Sequence, residues 1–226
     1  MPRRRRIVPG GYAYHVLNRA VGRTKIFRKE EDYAAFEQVI AEIHERLPTR
    51  LLSYCLMPNH WHMILWPEEN GELSEFIRLV TVTHAHRWHA HYHPAGAGRF
   101  YQGRFRSFPI QQDEHLIKAC RFIERSPLEA KLVKQAEDWP WSSAHKRQET
   151  KRPAWMLKDV AWPVRRPRNW LHLLNTPLPV IEQKQIEHSL ARCCPLGEAP
   201  WVKKTAKRLS LESTLRPQGR QPNVKK

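Results

Sequence analysis

The chain has 226 residues, of which 39 are Lys or Arg and 22 are Asp or Glu, and its formal net charge is +17. A chain this basic usually binds a polyanion, and nucleic acid is a better candidate than an anionic membrane surface. No apolar run approaches the ~20 residues that span a bilayer, so we expect a cytoplasmic protein without a membrane segment. The four cysteines have no Cys-x-x-Cys spacing, which argues against a zinc knuckle or a disulfide framework.

The N-terminal part predicts a basic arm, a strand and a helix. The arm spans residues 1–10 and contains Arg3, Arg4, Arg5 and Arg6, which fit either a phosphate contact or a solvated tail. Apolar and polar residues alternate from Gly11 to Ala20, with Tyr14 and Val16 on one face, as in a strand. Residues 30–47 then have helical periodicity, and Pro48 ends the run.

A predicted hairpin follows, and its second strand carries two histidines. The runs 51–57 and 60–66 are β-prone, and Pro58 and Asn59 between them indicate a tight turn. Because side chains alternate along a strand, His60 and His62 should point to the same side. Two imidazoles so placed could hold a metal ion, although an isolated His-x-His pair is more often two polar residues on a solvated face.

The next helix is predicted from Glu72 to about His91. Five histidines lie at its far end, namely His84, His86, His89, His91 and His93. The spacing of His89 and His93 would suit a helical metal site. The row faces several directions and includes Arg87, so a basic and aromatic face along a nucleic-acid groove is the better interpretation.

Arginines and aromatic residues then alternate over residues 99–110. Cations for phosphates and rings for unstacked bases are typical of single-stranded nucleic-acid binding. The expected DNA contacts are Arg99, Tyr101, Arg104, Phe105 and Arg106. The alternative is a strand whose rings are core and whose arginines are solvated. A third helix should begin after Asp113 as its N-cap and run over 114–125, ended by Pro127.

The composition changes near residue 150, where prolines and tryptophans become frequent. We place a domain boundary at 145–155, so that residues 11–150 form one domain and 151–226 a small helical appendage that binds DNA. Helices are predicted near 180–193 and 199–210. At the end of the chain, Arg216 and Arg220 resemble a minor-groove arm with glutamines interposed.

Taken in order, several motifs resemble a known family. They are the His60/His62 pair, the stretch 96–105 with its Tyr-Gln-Gly-Arg-Phe sequence, the helix at 114–125, the Trp-Pro-Trp-Ser-Ser motif at 139–143 and the closing residues 211–217. Together they are similar to the REP-associated tyrosine transposases, HUH-class single-strand DNA transposases with an IS200-like domain. The resemblance implies an α+β fold, a ferredoxin-like or RRM-like antiparallel sheet with helices packed on it.

The resemblance also implies a chemistry. In that family the histidine pair holds a divalent metal, Mg²⁺ or Mn²⁺, and His60 and His62 occupy those positions here. A tyrosine on the following helix attacks a phosphodiester of single-stranded DNA, and the covalent link conserves the bond energy for rejoining. The implied partners are palindromic REP-type hairpins, and the implied location is the nucleoid of a bacterial cytoplasm. The sequence leaves open whether the protein is a monomer or a homodimer.

Two positions depart from the family pattern. The nucleophilic tyrosine falls on Phe122, which has no hydroxyl, and the residue four positions on that completes the metal shell is Ser126, which would reach an ion only through water. Tyr14, Tyr54 and Tyr101 are conceivable substitutes for the nucleophile. Residual hydrolysis would need a base, for which Glu124 and Asp113 are the possibilities, although ordinary surface carboxylates are the simpler interpretation.

Three functions therefore remain open at this point. The first is a single-stranded DNA transposase or endonuclease, with Phe122 leaving its activity in question. The second is a non-catalytic DNA-hairpin-binding protein derived from such a transposase. The third is an RRM-like RNA-binding protein, which would have no use for the histidine pair.

Overall fold

The computed structural model describes residues 8–93, 99–158 and 161–216. Four strands form an antiparallel sheet in the order β2-β3-β1-β4: β1 (Ala13–Arg19), β2 (Arg50–Met57), β3 (His60–Trp66) and β4 (Arg106–Ile110). The helices are α1 (Glu30–Arg46), α2 (Glu72–Tyr92), α3 (Glu114–Glu129), α4 (Ser143–Lys146), α5 (Trp170–Asn175), α6 (Val180–Arg192), α7 (Ala199–Arg208) and α8 (Glu212–Leu215). The order β1-α1-β2-β3-α2-β4 is ferredoxin-like, which confirms the predicted fold class. Among the described residues, no helix is long and apolar enough to cross a bilayer.

Helices cover both faces of the sheet, and strand alternation decides which residues each face receives. On one face, Trp61 and Met63 of β3 pack in a cluster with Phe36 of α1 and Phe76 of α2. On the other face, a second cluster contains Ile64 of β3 together with Phe108 of β4 and Ile123 of α3. The histidines that alternate with Trp61 therefore point toward α3.

Helix α3 begins as predicted but ends later. The Asp113 carboxylate accepts a hydrogen bond from the His115 backbone N–H at 2.8 Å and caps the helix. Contrary to the prediction, Pro127 lies inside the helix, which continues to Glu129. Proline removes only its own N–H, and the Ala130 N–H still reaches the Ser126 carbonyl at 3.0 Å. The helix therefore places residues 122 and 126 on neighbouring turns.

The residues after 150 pack against α3. Trp170, Leu174 and Ile186 join the second cluster, and the Arg121 guanidinium donates to the Leu173 carbonyl at 2.7 Å. Helices α6 and α7 match the predicted runs near 180–193 and 199–210, whereas the short α5 was not predicted. The division of the chain near residue 150 remains a prediction.

Candidate active site

The histidine pair lies at the start of β3, on the sheet face that α3 covers. The antiparallel register places His60 opposite Arg19 and His62 opposite Leu17 of β1. The imidazole centroids of His60 and His62 are 4.9 Å apart, and the two rings are nearly perpendicular. As the alternation predicted, both side chains point to the same side of the sheet.

Each imidazole of the pair uses its Nδ1 in a hydrogen bond. His60 Nδ1 lies 2.6 Å from Asn59 Oδ1, and because an amide oxygen only accepts, His60 carries its proton on Nδ1. His62 Nδ1 lies 2.9 Å from His15 Nε2. Within the described part of the chain, neither Nε2 has a hydrogen-bond partner. Binding through one ring nitrogen while the other is held by a hydrogen bond is the usual arrangement of metal-ligating histidines.

Burial keeps both imidazoles neutral. It lowers the pKa of His60 to about 4, with a further contribution from the charge of Arg19. The pKa of His62 is lowered well below its ordinary value by burial first and then by His60, His15 and Arg19. A histidine binds a metal only in its deprotonated form, so both rings are in a competent state at neutral pH.

A cavity of about 530 Å³ opens over the pair. Phe122 and Ser126 of α3 line it, together with Arg106 of β4 and Glu187 of α6. The ring of Phe122 meets that of His62 edge to face, with centroids 6.5 Å apart. The cavity thus brings together the residues that the sequence assigned to the metal and to the nucleophile position.

The donor set fits a metal ion only in part. Across residues 8–93, 99–158 and 161–216, no group of three or more His, Cys, Asp or Glu side chains is arranged to hold one. The Ser126 hydroxyl donates to the Phe122 carbonyl at 3.1 Å, as is common for a serine within a helix. Two imidazoles therefore suit an ion that completes its shell with water and phosphate oxygens.

Two arginines border the cavity, and the sequence predicts only one of them as a DNA contact. Arg106, a predicted DNA contact, is exposed and donates to the Leu190 carbonyl at 3.2 Å. Arg19 is also exposed and lies at the end of β1, directly across from His60. Strand alternation could have identified Arg19. Ala13, His15, Leu17 and Arg19 share one face of β1, and pairing β1 with β3 places that face on the side of the histidines.

The tyrosines considered as substitute nucleophiles lie elsewhere, which corrects that hypothesis. Tyr14, Tyr54 and Tyr101 belong to the cluster on the opposite face of the sheet. The Tyr101 hydroxyl is 2.6 Å from His84 Nδ1 and accepts from the Trp61 indole at 3.1 Å. Tyr101 is only 8 % exposed, so its ring is also a poor platform for stacking a DNA base.

Neither carboxylate considered as a base is free for that role. Asp113 caps α3, and Glu124 is fully buried rather than a surface residue. Burial alone would raise the pKa of Glu124, but Arg147 and the hydroxyls of Ser143 and Ser53 lower it below its ordinary value. The second carboxylate oxygen of Glu124 accepts from the Trp170 indole at 2.8 Å. Through these hydrogen bonds, Glu124 therefore links α3 to both α4 and α5.

The other predicted contacts are dispersed. Arg99, Arg104 and Phe105 line a cavity of about 1350 Å³ with His86 and His89 of α2, but Glu68, Glu69, Glu72 and Glu75 line it as well, so the basic and aromatic groove stays a prediction. His84, by contrast, is buried. Arg216 is exposed at the end of α8. Two predicted groups, Arg3 to Arg6 and Arg220, lie outside the described residues.

Comparison with known proteins gives a consistent set of similarities. Residues 10–126 match the sequence profile of the family described as transposase, IS200 like. A REP-associated tyrosine transposase of Escherichia coli K12 is 23 % identical over 145 residues, covering 63 % of this chain and 82 % of that protein. A solved structure of a REP-associated tyrosine transposase bound to a REP hairpin has a TM-score of 0.53 and 22 % identity, over 71 % of this chain and 93 % of that one. At this level of identity, the structural similarity speaks for a shared fold.

Proposed function

The chain belongs to the IS200-like transposase family, and we propose that it binds palindromic hairpins of single-stranded DNA and holds one phosphodiester in the cavity over His60 and His62. The observation that carries this proposal is the pair of neutral imidazoles, each with no Nε2 partner among the described residues, beneath the helix position to which the family resemblance assigns the nucleophile. The REP hairpin of the structural relative suggests the substrate class. Such a protein would work at the nucleoid of a bacterial cytoplasm.

The residues of the cavity take separate roles in this proposal. His60 and His62 hold a divalent cation, Mn²⁺ more readily than Mg²⁺ because nitrogen ligands suit Mg²⁺ less well. When bound, that ion would neutralise charge on the scissile phosphate. Ser126 reaches the ion only through water. Water and phosphate oxygens would complete the shell, because the two imidazoles supply only two ligands.

Arg19 and Arg106 supply the positive charge for the DNA backbone. Both are exposed at the cavity, and Arg19 is close enough to His60 to lower its pKa. A guanidinium offers several donors in a fork that matches phosphate oxygens. We assign both to the phosphates on either side of the bond held at the histidines.

Phe122 decides whether this chain cleaves DNA. A phenyl ring has no hydroxyl and cannot form the phosphotyrosine link that the family resemblance implies. In the proposed function, the chain as it stands binds and positions the hairpin without covalent cleavage. It is a disabled transposase in which one oxygen atom of the nucleophile is missing.

We extend the proposal to residues 151–226 as a DNA-binding appendage. A second cavity, of about 860 Å³, is lined by five arginines, of which Arg165 and Arg168 are exposed. Exposed guanidinium groups clustered in this way attract a phosphate backbone. Together with the basic arm of residues 1–10, this surface would bind the hairpin stem while the cavity holds the strand.

Mobility-shift titration tests the binding proposal. A labelled DNA hairpin of the REP type should bind more tightly than an unpaired strand of the same composition. It should also bind more tightly than the RNA hairpin of matched sequence, because the alternative RRM-like function predicts the reverse order. Equal affinity for all three probes would show only non-specific electrostatic attraction and would contradict the proposal.

A further inference from the structure

His15 lies beneath the histidine pair and is not assigned any role by the proposed function. It is fully buried in the middle of β1 and does not line the cavity. We propose that His15 is a positioning residue that keeps the proton of His62 on Nδ1, so that the Nε2 lone pair is available to the cavity. The inference rests on the proposed metal site.

The sheet brings the two rings together. In the register of β1 with β3, His15 pairs with Ile64 and Leu17 pairs with His62, so His15 and His62 are diagonal neighbours on one face. His15 Nε2 lies 2.9 Å from His62 Nδ1, and the ring centroids are 5.1 Å apart. Phe108 of β4 packs on the other side of the His15 ring, with centroids 5.0 Å apart. The ring of His15 is thus held between its two neighbours.

The hydrogen bond can run in two directions with different consequences. If His62 donates from Nδ1 to His15, then His62 Nε2 carries a lone pair and can bind a cation. If His15 donates instead, the His62 proton sits on Nε2 and blocks that nitrogen. The hydrogen bond made by one ring nitrogen determines which of the two nitrogens carries the proton. The partner of His62 Nδ1 therefore controls whether His62 can act as a ligand.

The charge of Arg19 favours the first direction. Arg19 is close enough to influence His62, and a nearby cation attracts a lone pair and repels an N–H. Within the described residues, His15 Nδ1 has no hydrogen-bond partner, so one nitrogen of that ring stays unpaired in either direction, as an N–H if His15 accepts and as a lone pair if it donates. His15 can therefore act as an acceptor for His62, just as the Asn59 oxygen does for His60.

Two variants separate hydrogen bonding from packing. His15→Phe keeps a ring against Phe108 but removes the acceptor. His15→Gln removes the ring but keeps an acceptor oxygen near the position of Nε2. Loss of the acceptor would leave the buried His62 Nδ1–H without a partner, so the proton should move to Nε2, which faces the cavity. Melting curves without metal show whether both variants fold.

The first readout needs no metal. Long-range ¹H–¹⁵N spectra of histidine-labelled, metal-free protein distinguish a protonated ring nitrogen from a bare one. We expect His62 to carry its proton on Nδ1 in the wild type and in His15→Gln, and on Nε2 in His15→Phe. A wild-type His62 protonated on Nε2, or the same tautomer in all three proteins, would overturn the assignment of His15.

The second readout is Mn²⁺ affinity, measured by calorimetry on the same proteins with His62→Ala as the reference for a lost ligand. Replacing the hydrogen-bond partner of a metal ligand typically costs about 10–100-fold in affinity, and we expect that loss in His15→Phe and not in His15→Gln. Equal weakening of both variants would show that packing, and not the hydrogen bond, matters. If the wild type and His62→Ala bind Mn²⁺ alike, the metal site itself is wrong, whatever the tautomer spectra show.

Discussion

The ring of Phe122 lies edge to face against the imidazole of His62, with the two centroids 6.5 Å apart. Helix α3 thus presents position 122 to the histidine pair, as a nucleophile would require, yet supplies a phenyl ring. The neutral imidazoles, their Nδ1 partners and the arginines at the rim are otherwise in place. In the proposed function, the site therefore retains what is needed to hold a phosphodiester while it lacks the group that would attack it.

The double variant His60→Ala, His62→Ala should lose specific Mn²⁺ binding, because it removes both nitrogen donors of the cavity. Hairpin affinity should change little, since arginines provide most of the attraction to phosphates. Calorimetry with Mn²⁺ and mobility shifts measure the two effects. His91→Ala, an exposed histidine on α2, is the matched control and should leave both unchanged. A double variant that binds Mn²⁺ like the wild type would contradict the metal assignment.

Arg19→Ala and Arg106→Ala should each weaken hairpin binding. Each should also lower the slope of log affinity against log salt by about 1, which is the contribution of one phosphate contact. Both guanidinium groups border the cavity, whereas Arg46 is exposed at the end of α1 and lines neither this cavity nor the one that contains Arg99 and Arg104. Arg46→Ala therefore serves as the control of equal charge. The test is the slope of log affinity against log salt. Identical slopes for all three variants would show that the cavity arginines do not contact the DNA backbone.

Acid should destabilise the protein through its buried neutral histidines. Burial lowers the pKa of His84 from 6.5 to about 3, so between these values the unfolded chain binds one more proton than the folded chain does. The free energy of unfolding then falls as the pH falls, by about 1.4 kcal/mol per pH unit for this group. His84→Asn, which keeps an acceptor for the Tyr101 hydroxyl, should reduce that slope by this amount in urea unfolding at several pH values. An unchanged slope would show that His84 titrates normally.

Glu124→Ala should cost about 3–5 kcal/mol of stability, because it leaves the buried guanidinium of Arg147 without its carboxylate. Side-chain exposure of this pair is 1 % for Arg147 and 0 % for Glu124. The control is Glu114→Ala, whose carboxylate is 70 % exposed in its pair with Lys118 and should contribute no more than about 1 kcal/mol. Urea denaturation measures both. A stable Glu124→Ala protein would contradict the structural role given to Glu124.

Local sequence patterns predicted most strands and helices of the sheet domain, whereas the ferredoxin-like arrangement was implied by the family resemblance. Strand alternation and helical periodicity depend on neighbouring residues, so the hairpin of β2 and β3 and the helices α1 and α2 could be assigned from the chain alone. The same alternation predicted that His60 and His62 share a face. The end of α3 was misplaced because Pro127 loses only one hydrogen bond near a helix terminus, a cost that packing can offset.

Contacts between distant segments could not be predicted in the same way. His15 and Arg19 became part of the site only when the register of β1 against β3 was known. Likewise, the burial of Glu124 depends on Arg147 and Trp170, which follow it by many residues. The interpretation of Tyr101 as a stacking platform failed for a related reason, since its hydroxyl has partners on β3 and α2.

The most direct test of this account is a denaturing-gel assay of the wild type and Phe122→Tyr on an end-labelled single-stranded DNA hairpin with Mn²⁺. Both proteins should shift the hairpin on a native gel, but only Phe122→Tyr should cleave it and retain the label covalently. His62→Ala in the tyrosine background should abolish the covalent product while leaving the native shift. Cleavage by the wild type, or a folded Phe122→Tyr protein that binds the hairpin and Mn²⁺ yet forms no covalent product, would contradict the claim that the site lacks only its nucleophile.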